Sequence, residues 1–199
     1  MIIFLFRVIS VFMERVTQLL EYTPEFQMLR REDQSILLNE NRNRAAALTV
    51  AKLESFKDGN EQLRFALGHF DDAVFSQDYA CVLPNKKLKR FSLFEGVDSC
   101  CPDRNICLQL VCQINSLVKD MEVYKLFLLL LLFKTEKVRD QDLENLALKY
   151  ETLLMQTLAI GDKEEGRNIF EEILRKVQDL TSSVFGDTFS RGSSWQKIN

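Results

Sequence analysis

Histidine occurs once, at His69, in 199 residues, which excludes any centre that needs two imidazoles. Glycine and proline are scarce, at 7 and 3 residues. Together they make about 5% of the chain, where an ordinary domain carries roughly 12%. That shortage argues against a turn-rich β-sandwich or barrel and for long helices. The glycines are scattered, so no phosphate-cradling loop is visible. The five cysteines are an odd number with no CxxC pair. A disulfide framework or zinc module is therefore not expected, and buried thiols in a reducing, intracellular compartment are. A net charge of −3 gives no global grip on nucleic acid. Long apolar runs are missing too. Leu126 to Phe133 is bounded by Lys125 and Lys134 and falls well short of the roughly 20 residues a spanning helix needs. Met1 to Phe6 is interrupted by Arg7 and lacks the order of a secretory signal.

What is present is a core. Apolar residues make 46% of the chain, and 15 of them are Phe, so wholesale disorder is not expected. Ile3 to Tyr22 reads as a helix ended by Pro24. Arg31 to Phe56 reads as a second long helix closed by Asp58-Gly59-Asn60. Glu61 to Leu93 is less regular, with short strands expected near 78–83 and 90–94. Pro102 opens a helix that carries Ile106, Leu110, Ile114 and Leu117. A break at Lys119-Asp120 leads into a buried central helix, Met121 to Phe133. Asp140 is expected to cap the next helix. Its apolar face is Leu143, Leu146, Ala147, Tyr150, Leu153, Leu154 and Leu158. A last helix, Glu164 to Val184, carries the stripe Ile169, Phe170, Ile173, Leu174, Val177 and Leu180. Residues 186–199 form a polar tail.

Isolated features carry little chemistry. Cys100, Cys101, Cys107 and Cys112 cluster without a zinc spacing. Lys86 to Arg90 is a basic run, read as a solvated loop rather than a phosphate contact or import signal. Leu126, Leu129 and Leu130 spell an LxxLL that burial would silence. No set of nucleophile, base and orienting group stands out, so the chain is not expected to be an enzyme.

One segment does carry identity. Pro24, Phe26, Leu29, Asp33, Gln34, Leu37 and Leu38 lie in PEFQMLRREDQSILL. This resembles the signature of the nuclear receptor ligand-binding domain. Phe26 and Leu29 would pin the turn between two crossing helices, and Asp33 and Gln34 would lock the start of the second. The order of downstream elements is similar to the family's. Arg175 to Leu180 resembles the late-helix stretch of the vitamin-D-receptor-like group.

The resemblance implies an all-α fold, a three-layer helical sandwich with a small β-hairpin-like patch. The domain would cover 1–185, truncated at its N-terminus and without the family's zinc-finger module. A lipophilic ligand would be lined by Val8, Phe12, Ala46, Thr49, Val50, Leu53, Val74 and Phe75. A core filled by its own side chains is the equal alternative, with no cofactor. A co-regulator groove would comprise Val16, Leu20, Glu21, Gln34, Leu38 and Asn39. Glu21 and Asn39 stand where coactivator-recruiting relatives carry lysines, and no activation helix follows Val184. A corepressor-type helix is therefore the expected occupant. Phe170, Glu171, Leu174, Arg175, Val177 and Gln178 would form the dimer interface, with a retinoid X receptor-like partner or a second copy. The implied role is transcriptional regulation in the nucleus, shared with the cytoplasm, without autonomous activation, direct nucleic-acid contact or membrane insertion. The alternative is a ligand-free helical scaffold or dominant-negative dimerisation module.

Overall fold

The computed structural model describes residues 13–14, 17–18, 20–59, 61–62, 65, 94, 104–135, 137–158 and 163–185. All regular structure among these is helical. Residues 13–14, 17–18 and 20–21 belong to helix, in agreement with the pattern read for the first segment. The expected strands, the basic run at 86–90, His69 and the polar tail lie outside the described residues, save Phe94, which is buried.

Pro24 does more than end the preceding helix. Thr23 is extended, and Pro24 opens a short helix, α1 (Pro24–Met28), where its missing N–H costs nothing. Leu29 and Arg30 are extended again, and α2 (Arg31–Glu54) follows. The remaining helices are α3 (Arg104–Leu117), α4 (Met121–Phe133), α5 (Gln141–Leu158) and α6 (Lys163–Phe185).

Helix α2 is the axis of the fold. It touches α3, α4 and α6, while α5 lies on α4 and α6. Its burial is divided along its length rather than by face. From Arg31 to Arg44 most residues reach solvent, whereas every residue from Ala45 to Glu54 is buried. Ala45, Ala46, Ala47 and Ala51 keep this inner half thin, so neighbouring helices can approach closely. Helix α4 exposes Glu122 and Lys125 in its first turns and is apolar on every face from Leu126 to Phe133. Tyr124, Phe127, Leu130, Leu131 and Phe133 are among its fully buried side chains.

The cap expected at Asp140 forms, and Asp120, read from sequence only as part of a break, caps α4 as well. Asp120 Oδ1 accepts from Glu122 N at 2.7 Å, and Asp140 Oδ1 accepts from Leu143 N at 3.0 Å. The other ends are less local. The last carbonyls of a helix have no intrahelical donor, and glycine commonly closes that end. Here side-chain amides reach in from elsewhere. Asn115 Nδ2 donates to Ala51 O at 2.7 Å. Gln62 Nε2 donates to Leu53 O at 2.9 Å. Asn41 Nδ2 donates to Leu132 O at 3.0 Å, across 91 residues.

Two expectations are corrected. Leu153 is 39% exposed rather than on the core face of α5, because Leu154 and Leu158 take the inward positions. Cys107 is buried and disulfide-bonded, its partner lying outside the described residues, while Cys112 on the same helix is an exposed free thiol. An odd cysteine count forbids complete pairing, not a single bridge.

Candidate functional site

The signature segment builds a junction. Phe26 and Leu29 are buried on either side of the chain reversal. Gln34, half-buried on the first turns of α2, donates its Nε2 to Phe26 O at 2.9 Å and ties α2 back to α1. Asp33 does not cap the helix. Its Oδ2 instead accepts from Arg30 Nε at 2.8 Å, a pair one turn long at the surface.

Beside this junction lies a cleft of about 390 Å³ between the first helical residues, α2 and α4. It is lined by Met13, Glu14, Thr17, Gln18, Glu21, Leu38, Asn39, Arg42 and Leu132. Three residues expected in a co-regulator groove, Glu21, Leu38 and Asn39, therefore share one concavity. Leu20 does not join them, since it is 1% exposed and belongs to the core. Gln34 is occupied at the junction, and Val16 lies outside the described residues. The sequence reading missed Glu14, Gln18 and Arg42. Glu14, Gln18 and Glu21 stand at helical spacing, a signal that was there to be read. Leu132 left no such signal, because it sits in the unbroken apolar run Leu126 to Phe133.

The inner half of α2 carries the expected ligand positions. Ala46, Thr49, Val50 and Leu53 are all buried, and Val8, Phe12, Val74 and Phe75 lie outside the described residues. Thr49 is engaged by protein. Its Oγ1 donates to Ala45 O at 2.7 Å and lies 3.3 Å from Tyr124 Oη. The Tyr124 ring meets Phe65 edge-on at 5.4 Å, and Phe65 meets Phe56 at 5.1 Å. Burial holds the Tyr124 phenol well above its ordinary pKa, so the hydroxyl is neutral.

On α6 the stripe divides. Phe170 and Val177 are consumed by the protein's own core, Phe170 with its ring 5.8 Å from Phe127. Leu174 is half-buried, and Glu171, Arg175 and Gln178 are exposed. The accessible part of the expected dimer face is thus polar, with one leucine. Lys176 is drawn inward, where its Nζ donates to Gln113 Oε1 of α3 at 2.8 Å.

Among the described residues no group of His, Cys, Asp and Glu could hold a metal ion, and no helix is long and apolar enough to cross a membrane. Compared with known proteins, the chain matches no family model, no curated protein and no solved structure.

Proposed function

We propose that the chain is a divergent domain of the nuclear receptor ligand-binding type that regulates transcription by binding other proteins. The observation that carries the reading is the junction. The signature glutamine ties the start of the long helix to the carbonyl of the signature aromatic. Next to it, Glu21, Leu38 and Asn39 line one cleft. Within this reading that cleft takes a corepressor-type helix, since the carboxylate of Glu21 is the wrong sign to grip the carbonyl end of a coactivator helix.

A second reading is favoured by the interior. Thr49, the polar group best placed to anchor a ligand, is already bonded to Ala45 and faces Tyr124. This supports a scaffold with a filled core, working through dimerisation alone.

Native mass spectrometry of the purified protein, alone and with a retinoid X receptor ligand-binding domain, tests both. A one-to-one heterodimer supports the receptor reading, and a co-purified lipophile removes the filled-core one. An empty monomer that ignores the partner overturns the receptor reading.

A further inference from the structure

A second cleft, of about 330 Å³, opens where α2, α4 and α6 meet. Its walls carry three cations from three places in the chain: Arg44 on α2, Lys134 just after α4, and Arg175 on α6. Its apolar lining is Leu131, Leu174 and Val177.

The cations are not equivalent. Lys134 is already engaged, with Nζ 3.1 Å from Glu151 Oε2 and 5.7 Å from the centre of the Phe170 ring. Thr135, at the rim, donates its hydroxyl to Glu40 Oε2 at 2.7 Å. The guanidinium groups of Arg44 and Arg175 have no ion-pair or hydrogen-bond partner among the described residues. Two arginines without partners over an aliphatic floor form a recognisable chemistry. Guanidinium forks bind carboxylate or phosphate oxygens in pairs, and the apolar wall shelters a hydrocarbon chain from water. The volume sits at the small end of the roughly 300–1,000 Å³ typical of ligand pockets.

We propose that this cleft binds a small amphipathic anion, a monocarboxylate or a phosphate monoester bearing an aliphatic chain, with Arg44 and Arg175 holding the head group and the chain lying along the half-buried Leu174, over a floor formed by the buried Leu131 and Val177. The site does not rest on the expected interior ligand, and it shares Leu174, Arg175 and Val177 with the expected dimer face.

Isothermal titration calorimetry of the full chain with decanoate and with decyl phosphate tests it, with decanol and inorganic phosphate as single-feature controls. Saturable one-to-one binding of at least one amphiphile is expected, and the tighter of the two identifies the head group. Each control should bind at least tenfold more weakly. Arg175→Gln and Arg44→Gln should each weaken binding about tenfold, and Arg31→Gln, on exposed α2 away from the cleft, should not. Arg44 is half-buried, so Arg175→Gln carries the test if Arg44→Gln loses its fold. Shortening the chain should weaken binding roughly three- to fourfold per methylene. Equal binding of decanol, or undiminished binding to Arg175→Gln, overturns the proposal. So does saturation by a glutamate-rich amphipathic peptide with neither amphiphile bound, which would assign the cleft to a protein partner.

Discussion

The hydroxyls of Thr49 and Tyr124 lie 3.3 Å apart in the protein interior, joined across 75 residues of sequence. Thr49 has a single hydroxyl hydrogen, and its Oγ1 donates it to Ala45 O. Tyr124 is therefore the donor of the pair. The contact fastens α2 to α4 at the point where the sequence resemblance would place a ligand anchor.

Tyr124→Phe removes that donor, leaves Thr49 bonded to Ala45, and keeps the ring beside Phe65. The expected loss is about 1 kcal/mol. Thr49→Val removes the acceptor. Urea unfolding of both single variants and the double variant should give a coupling of about 0.5–1 kcal/mol. A coupling near zero would mean that the hydroxyls are neighbours without a bond.

Burial raises the Tyr124 phenol above its ordinary value. The unfolded chain releases that proton near pH ~10, and the folded chain holds it to higher pH. The folded state thus binds more protons in this window. Its Tyr124-linked stability is complete below pH ~10 and is lost as pH rises. Thermal unfolding between pH 9 and 11 should fall more steeply for the wild type than for Tyr124→Phe. Tyr150 is also raised, by burial and then by Glu25, but it shifts both proteins alike. Parallel curves would contradict the assignment.

Lys52 has the opposite sign. It is 8% exposed, with Nζ 3.4 Å from Lys119 O. Burial lowers its pKa, and Asp120 offsets part of the effect. Below its depressed folded pKa the full cost of the buried charge is present. As pH rises toward the ordinary lysine value of ~10.4, the folded protein sheds the proton first and gains stability. Relative to Lys52→Met, the wild type should therefore gain in unfolding midpoint from pH 8 to pH 10. A constant difference across that range would count against it.

If the cleft beside the junction is a co-regulator groove, its charge decides its partner. Replacing Glu21 and Asn39 together by lysine should restore the grip on a helix's carbonyl end. Fluorescence anisotropy with an LxxLL peptide should show at least tenfold tighter binding to the double variant than to the wild type. Unchanged binding would detach this cleft from the receptor reading.

Much of the helical layout was legible in sequence. Met121 to Phe133 is a helix with the expected bounds, because eight apolar residues between lysines admit few other states. Asp140 caps its helix as expected, because an aspartate before a helical pattern has one strong use, and Asp120, read only as part of a break, does the same for α4. The signature predicts a lock at Gln34, and one forms, but Asp33 beside it pairs with Arg30, a choice set by geometry that spacing does not encode. The α6 stripe showed that one face is apolar, not whether core or partner would cover it, and the core took Phe170 and Val177. The cleft beside the junction was legible in part, through Glu21, Leu38 and Asn39, whereas the second, which collects side chains from α2, α4 and α6, was not.

The amides of Asn115, Gln62 and Asn41 close helix ends that a glycine would otherwise close nearby. A glycine stop is a local instruction, and a short fragment can obey it alone. A stop made by a residue 91 positions away operates only once both segments have met. The boundaries at Glu54 and Phe133 are thus products of assembly. Excised peptides spanning either helix would fray past them, and in the whole chain these ends form and melt together with the core.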